Sequence, residues 1–176
     1  ESYHDEMEYL VEHKGRNNLI KNLVNDLEGN TLVLFNYVEK HGEPLYELIN
    51  STIDPERKLF FVHGGTDVED REEVRQITET ESNAIIVASY GTFSTGINIK
   101  RLHNIVFASP SKSRIRNLQS IGRVLRKGEG KDIATLYDIA DDIGGQNYTL
   151  KHLNERVNIY NDENFKYEVI KVNLRA

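Results

Sequence analysis

Short apolar segments alternate with amphipathic segments along the chain, and this alternation predicts the secondary structure. Five runs rich in β-branched and aromatic residues have the length and composition of strands that are buried on both faces. The predicted strands cover residues 31–35, 58–62, 84–88, 104–108 and 133–139. None of these runs is long enough to cross a bilayer as a helix.

The segments between the strands carry apolar residues at helical spacing among many polar ones. Helices are predicted over residues 6–27, 42–49, 67–80, 111–126 and 150–160, with a polar loop over 89–98 and a last strand near 167–172. Strands that alternate with helices indicate βαβ crossovers, which build a parallel sheet with helices on both faces. The predicted fold class is therefore α/β.

The chain shows neither an internal repeat nor a Pro/Gly-rich linker, which favours one folded domain. We assign residues 29–176 to this domain and residues 1–28 to an N-terminal lead-in helix from a neighbouring domain. In parallel α/β sheets, ligands bind in loops beyond the carboxyl ends of the strands. The loops that begin at residues 36, 63, 89 and 109 are therefore the candidate functional loops.

The chain of 176 residues has a net charge of −6, but this charge is unevenly distributed. Residues 100–131 contain nine lysines or arginines and one acid, a local charge of +8, so the remainder of the chain carries −14. Such polarity favours an anion-binding face on an acidic body. A solvated basic loop is the plainer interpretation of the same count.

Cysteine is absent, which excludes disulfides and cysteine-based zinc sites, and the six histidines show no metal-ligand spacing. No metal site is therefore predicted. The acidic N-terminus lacks the pattern of a signal peptide. A cytoplasmic protein without a membrane partner is expected.

Arg123 and Arg126 lie three positions apart on the predicted helix 111–126 and therefore share one face. Gln119 lies one turn before Arg123 on that face, and Gly122 allows a close approach of another backbone. Two guanidiniums and an amide suit a transferring phosphoryl group, whose charge must be neutralised in the transition state. A surface helix with two salt-bridged arginines would show the same spacing.

Residues 119–126, QSIGRVLR, resemble motif VI of superfamily 2 helicases, with every fixed position of its QxxGRxxR pattern present. The resemblance implies a RecA-like helicase C-terminal domain in which Arg123 and Arg126 are arginine fingers on the β- and γ-phosphates of ATP. It also implies that Gln119 and Gly122 lie near the nucleotide. ATP with Mg²⁺ would be held mainly by a separate N-terminal RecA-like domain.

Residues 89–98, SYGTFSTGIN, resemble motif V of the same family. Hydroxyls and backbone N–H groups in such a segment can hold phosphate oxygens without reading base sequence. The resemblance implies that Thr92 contacts the nucleic-acid backbone and that Gly96 and Asn98 belong to the nucleotide site. Asn98 replaces the usual aspartate with an amide, which can hydrogen-bond but cannot neutralise charge. A polar turn between strand and helix is the alternative.

Two weaker matches precede these motifs. Residues 32–48 resemble motif IV, which places Asn36 near the nucleic-acid track, and His63-Gly64-Gly65 resembles the turn of motif IVa. The resemblance implies that these three turn residues belong to the nucleic-acid site, where the backbone N–H groups of Gly64 and Gly65 can contact a phosphate. Glycine turns after strands are common, and His63 by itself is more often a structural histidine than a catalytic one.

The amino-acid sequence of residues 104–131 further resembles that of phage helicases that remodel branched DNA and RNA–DNA hybrids. The implied function is the second motor domain of an ATP-dependent DNA helicase or translocase, with DNA, RNA–DNA hybrid and the N-terminal RecA-like domain as partners. Its location would then be the host-cell cytoplasm. The chain has no GxxxxGK(S/T) phosphate loop and no DEAD- or DExH-like box, so it is expected to be inactive alone.

Two rival interpretations stay open. A non-catalytic module could bind nucleic acid or protein through the basic face. A metabolic doubly wound domain is less favoured, because no GxGxxG follows the first strand.

Overall fold

The computed structural model describes residues 3–95, 99, 101–109, 134–144, 147–162, 170, 172 and 174. The elements are α1 (Tyr3–Glu12), α2 (Lys14–Asp26), β1 (Thr31–Phe35), a π-helix (Val38–Gly42), α3 (Glu43–Thr52), β2 (Leu59–Val62), α4 (Val68–Thr80), β3 (Ile85–Ser89), α5 (Tyr90–Thr95), β4 (Asn104–Phe107), β5 (Thr135–Asp138) and α6 (Tyr148–Asp162). The predicted helix 111–126 and most of the predicted strand 167–172 lie outside the described residues.

The five strands form one parallel sheet in the order β2-β3-β1-β4-β5. The predicted parallel α/β architecture is confirmed. In this register Phe35 pairs with Ser89, and Leu34 pairs with Phe107. The carboxyl ends of the strands are therefore level with one another, at one edge of the sheet.

Two apolar clusters cover the two faces of the sheet. On the α2/α3 face, the helices contribute Ile20, Val24, Leu45 and Ile49. On the α6 face, the connection between β3 and β4 and helix α6 contribute Tyr90, Ile99, Leu102 and Tyr160. The chain thus leaves β1 toward one face and β3 toward the other. Neighbouring strands whose connections diverge in this way mark the usual ligand crevice of open α/β sheets.

The predicted single helix over residues 6–27 is wrong, because the structure has two helices with a break at His13. His13 has an extended backbone with ψ of 112°, and its Nδ1 accepts a hydrogen bond from the N–H of Arg16 at 3.0 Å. His13 is therefore an N-cap that starts a second helix. The apolar stripe continues through both helices, which is why periodicity alone missed the break.

The predicted loop over residues 89–98 is also partly wrong, because residues 90–95 form helix α5. The Ser89 hydroxyl accepts from the N–H of Thr92 at 3.3 Å, as a helix-capping serine does. A turn rich in serine, threonine and glycine fits a short helix as well as a loop, so its composition did not decide between them.

The π-helix before α3 depends on the absence of a side chain at Gly42. A Cβ placed at Gly42 would lie 2.4 Å from Cε1 and 2.6 Å from Cζ of Phe35. Glycine thus allows this turn to pack directly on the end of β1, a close approach that other residues would block. The turn carries His41 into the interior, where it is fully buried.

None of the helices in the described part of the chain is long and apolar enough to span a membrane.

Candidate functional site

The carboxyl edge of the sheet gathers the loops that the sequence singled out. Asn36 follows β1, His63 follows β2, Thr92 lies just after β3, and Ser109 lies just after β4. Because the strands are parallel and in register, these positions meet at one edge. This edge includes the crevice between β1 and β3, where the connections diverge, and is the candidate site.

The structure describes five of the predicted site residues. These are Asn36, His63, Gly64, Gly65 and Thr92. The other six lie outside the described residues, namely Gly96, Asn98, Gln119, Gly122, Arg123 and Arg126. Their roles stay predictions.

The turn after β2 is held together by its own hydrogen bonds. The N–H of His63 donates to Thr66 Oγ1 at 3.0 Å, and the N–H of Thr66 donates to the carbonyl of His63 at 2.9 Å. The N–H of Gly65 donates to His63 Nδ1 at 3.0 Å. His63 therefore shapes the turn, and the N–H of Gly65 is already engaged by it.

Gly64 has different surroundings from Gly65. A Cβ at Gly64 would meet nothing within 4 Å, whereas one at Gly65 would lie 2.8 Å from Cε1 of His63. The backbone at Gly64 is thus open to the approach of another group. Of the two glycines, only Gly64 has this open space, and the predicted phosphate contacts of both stay predictions.

Thr92 is turned inward in the structure. Its side chain is buried, and its Oγ1 lies 2.6 Å from the Oγ of Ser89. The hydroxyl pair fixes the start of α5 against the end of β3. The predicted contact of Thr92 with the nucleic-acid backbone stays a prediction, and in this arrangement its hydroxyl faces Ser89.

Asn36 joins the exits of two neighbouring strands. Its N–H donates to Ser109 Oγ at 3.0 Å. The carbonyl of Ser109 accepts from the Tyr90 hydroxyl at 3.0 Å. The ends of β1, β3 and β4 are therefore linked through Ser109, the first residue of a predicted candidate loop, for which the sequence indicated no individual role.

Arg16 is a large buried polar group at this edge that the sequence did not identify. Its side chain is buried, and its Nε and Nη2 donate to the two Asp141 carboxylate oxygens at 2.7 and 3.0 Å. Its Nη1 donates to the Ala108 carbonyl at 2.6 Å. This bidentate pair anchors α2 to the end of β4 and to the segment after β5.

A second buried pair lies at the end of β5. Arg156 donates to the Asp138 carboxylate from Nε at 2.7 Å and from Nη2 at 2.9 Å, and the Tyr160 hydroxyl donates to Asp138 at 2.7 Å. Burial raises the pKa of Tyr160, and the Asp138 carboxylate raises it further. Tyr160 therefore stays a protonated donor that helps to hold α6 against β5.

His41 is buried between Ser109 and Asn17. Its Nδ1 lies 2.6 Å from Ser109 Oγ, and its Nε2 lies 3.0 Å from Asn17 Oδ1. Burial, with a smaller contribution from the Arg16 cation, lowers the pKa of His41 to about 3. The ring is therefore neutral at physiological pH.

We expect acidification to reduce the stability of the chain through His41. Its folded pKa of about 3 lies below the ordinary value of 6.5, so between these values only the unfolded state takes up the proton. This contribution to stability is complete above pH 6.5 and is lost, by up to about 1.4 kcal/mol per pH unit, as the pH falls below it. Urea unfolding at pH 7.5, 6 and 5 measures this loss.

The His41→Gln variant is expected to show a shallower pH dependence than the wild type. His4→Gln is the matched control, because the side chain of His4 is 67% exposed on α1. It should keep the wild-type slope. Parallel pH profiles for the wild type and His41→Gln would contradict the assignment.

Within the described residues, no group of three or more histidine, aspartate and glutamate side chains could hold a metal ion.

Comparison with known proteins shows which family this chain resembles. Residues 15–128 match the helicase conserved C-terminal domain family. The chain is 39% identical to the ATP-dependent DNA helicase uvsW of Enterobacteria phage T4 over 189 aligned positions, covering 98% of this chain and 37% of that protein. The chain thus spans little more than a third of this relative.

Solved structures agree with the sequence comparison. The crystal structure of T4 UvsW matches with a TM-score of 0.76 at 37% identity, covering 94% of this chain and 36% of that chain. The C-terminal domain of the DEAD-box protein Dbp5 shares the fold, with a TM-score of 0.63 at 16% identity over 86% of this chain and 82% of that one. The predicted RecA-like fold and the resemblance to superfamily 2 and phage helicases are confirmed. The chain belongs to the helicase conserved C-terminal domain family.

Proposed function

We propose that the chain is the second motor domain of an ATP-dependent DNA helicase or translocase that acts on branched DNA and RNA–DNA hybrids. The observation that carries this proposal is the family match over residues 15–128, which spans β1 to β4, four of the five strands whose carboxyl ends meet at one edge. The T4 relative is described as an ATP-dependent DNA helicase. The proposed place of work is the cytoplasm of the host cell.

The proposed chemistry is electrostatic. ATP with Mg²⁺ lies between this domain and an N-terminal RecA-like domain, which holds most of the nucleotide. Arg123 and Arg126 neutralise the charge that develops on the transferring phosphoryl group. The nucleotide side of the cleft also includes Gln119, Gly122, Gly96 and Asn98.

The proposed nucleic-acid contacts are made to the sugar–phosphate backbone. Asn36, the turn His63-Gly64-Gly65 and Thr92 lie after three different parallel strands, and the structure places them at the same edge. Backbone contacts fix the register of a protein on its track without reading base sequence. Closure of the cleft on ATP, and its opening after hydrolysis, would move these contacts relative to those of the other domain.

An assay of ATP hydrolysis and strand separation tests the proposal. The full-length protein is expected to hydrolyse ATP faster with branched DNA or an RNA–DNA hybrid than without nucleic acid, and to separate the strands of both. The 176-residue chain is expected to show negligible hydrolysis, because its sequence has no GxxxxGK(S/T) loop to hold the phosphates. Linear duplex DNA is the comparison substrate.

Different outcomes have different meanings. Ordinary helicase turnover by the 176-residue chain would contradict the division of work between two domains. A full-length protein that binds DNA without hydrolysing ATP would favour the non-catalytic binding module. Equal activity on linear and branched substrates would remove the branched-DNA part of the proposal and leave the motor intact.

A further inference from the structure

A buried hydrogen-bond relay runs through His41 at the carboxyl edge, and the proposed chemistry makes no use of it. Asn17 Nδ2 donates to the Val11 carbonyl at 2.9 Å, so its Oδ1 faces His41 as an acceptor. The hydrogen of the neutral imidazole must therefore be on Nε2, which leaves Nδ1 as an acceptor. It follows that the Ser109 hydroxyl donates to Nδ1.

The same hydroxyl is an acceptor on its other side. The N–H of Asn36 donates to Ser109 Oγ at 3.0 Å, so the relay runs from the exit of β1 through Ser109 and His41 to α2. Each donor named in this relay has an acceptor at hydrogen-bonding distance. A satisfied buried network of this kind specifies one arrangement, because a broken member would leave a buried polar group unpaired.

The chain at Ser109 is held by its backbone as well. Its carbonyl accepts from the Tyr90 hydroxyl at 3.0 Å, and the preceding carbonyl, of Ala108, accepts from Arg16 at 2.6 Å. The exit of β4 is therefore attached to the exit of β1, to the residue after β3 and to α2. In the sequence, Ser109 begins the stretch that leads to Arg123 and Arg126.

We infer that His41 and Ser109 are positioning residues, which hold the exit of β4 in a fixed position relative to the exits of β1 and β3. This inference rests on the proposed function, because the relay would then be a common rigid support for the arginines after β4 and for the backbone contacts after β1 and β3. Nucleotide chemistry and movement along the nucleic acid are then coupled through this support. A displacement of about 1 Å at a reacting group can lower turnover by roughly 100-fold.

The test uses Ser109→Ala, Ser109→Thr and Tyr90→Phe in the full-length protein. Ser109→Ala removes the hydroxyl from the relay, and Ser109→Thr keeps a hydroxyl there. Tyr90→Phe leaves the Ser109 hydroxyl in place and removes the hydrogen bond to the Ser109 carbonyl. We expect Ser109→Ala to lower the kcat of DNA-stimulated ATP hydrolysis by about 10- to 100-fold with the KM for ATP within about twofold. The ATP hydrolysed per base pair separated should rise, and Ser109→Thr should recover most of the kcat.

Thr31→Val is the matched control for loss of a buried hydroxyl. Thr31 is fully buried at the opposite, amino edge of the sheet, where its Oγ1 donates to the Gly29 carbonyl at 3.1 Å. Its loss is expected to reduce the denaturation midpoint without changing kcat. If Thr31→Val and Ser109→Ala lose kcat to the same extent, the loss in Ser109→Ala is explained by general destabilisation, and the inference is overturned.

The remaining outcomes are also decisive. A folded Ser109→Ala variant with wild-type kcat and coupling would overturn the inference, as would equal losses in Ser109→Ala and Ser109→Thr. If Ser109→Ala does not fold, Tyr90→Phe decides by the same two readouts. Arg123→Ala is assayed in parallel. If Arg123→Ala loses turnover and Ser109→Ala keeps wild-type turnover, the positioning role is rejected and the proposed motor function stands. If both variants keep wild-type turnover, the proposed motor function is rejected.

Discussion

Replacing Arg123 or Arg126 by alanine in the full-length protein is expected to lower the kcat of DNA-stimulated ATP hydrolysis by about 10³- to 10⁵-fold. The reason is that an arginine finger interacts most strongly with charge that develops in the transition state, so its loss affects the chemical step more than substrate binding. Steady-state hydrolysis at saturating DNA gives kcat. Equilibrium binding of a non-hydrolysable ATP analogue should remain within about tenfold of the wild type.

Two controls sharpen this experiment. Arg123→Lys and Arg126→Lys keep the positive charge but lose the planar fork that binds phosphate oxygens in pairs, so we expect only partial recovery. Arg75→Ala removes an arginine of α4 that bonds to Glu72 and Glu79 on the protein surface, and it should leave turnover unchanged. Wild-type turnover in both alanine variants would mean that residues 119–126 form only a charged surface. The non-catalytic binding module would then be the better interpretation.

The strands and their common edge could be predicted from the sequence, because strands that are buried on both faces consist almost wholly of apolar residues. The runs at 31–35 and 84–88 consist almost wholly of apolar residues, and the structure makes both of them central strands. Parallel pairing follows from their alternation with helices. Once the strands are parallel, the loops after them must share an edge, whatever the details of each loop.

The buried polar network could not be predicted in the same way. Arg16 and Asp141 are separated by 125 positions, and each lies beside polar residues of the kinds usually found at a protein surface. A polar residue in an amphipathic helix is normally assigned to the solvent side. Nothing local distinguishes Arg16 from the exposed arginine of a surface pair, because its burial depends on a partner that only the fold brings near.

The inward turn of Thr92 has a similar origin. A threonine in a hydroxyl-rich segment predicts a group that can contact phosphate, and the family resemblance implies the same. The structure pairs its hydroxyl with Ser89, three residues earlier, at the start of α5, and the contact with phosphate stays a prediction. Local hydrogen bonds between hydroxyls and nearby backbone compete with ligand contacts, and the sequence does not tell which prevails.

Loss of the Arg16–Asp141 pair is expected to have the largest effect on folding. Arg16→Met leaves the Asp141 carboxylate, whose side chain is 11% exposed, without its cation, and leaves the Ala108 carbonyl without its donor. Removing one partner of a buried ion pair costs about 3–5 kcal/mol. We expect a decrease of that size in the free energy of unfolding, measured by urea denaturation of the chain at pH 7.5.

A double variant separates the cost of an unpaired charge from the value of the pair itself. Arg16→Met with Asp141→Leu removes both charges, and buried ion pairs replaced by apolar residues often lose little stability. The double variant should therefore be more stable than Arg16→Met alone. Arg75→Ala, which removes a half-buried arginine paired with the exposed Glu72 and Glu79, should change stability less than Arg16→Met. A loss below about 1 kcal/mol for Arg16→Met would mean that water reaches Asp141 and that α2 is only loosely attached. Such a small loss would support the predicted boundary between a lead-in over residues 1–28 and a domain over residues 29–176. A large loss would make α2 part of the folding unit that carries the site.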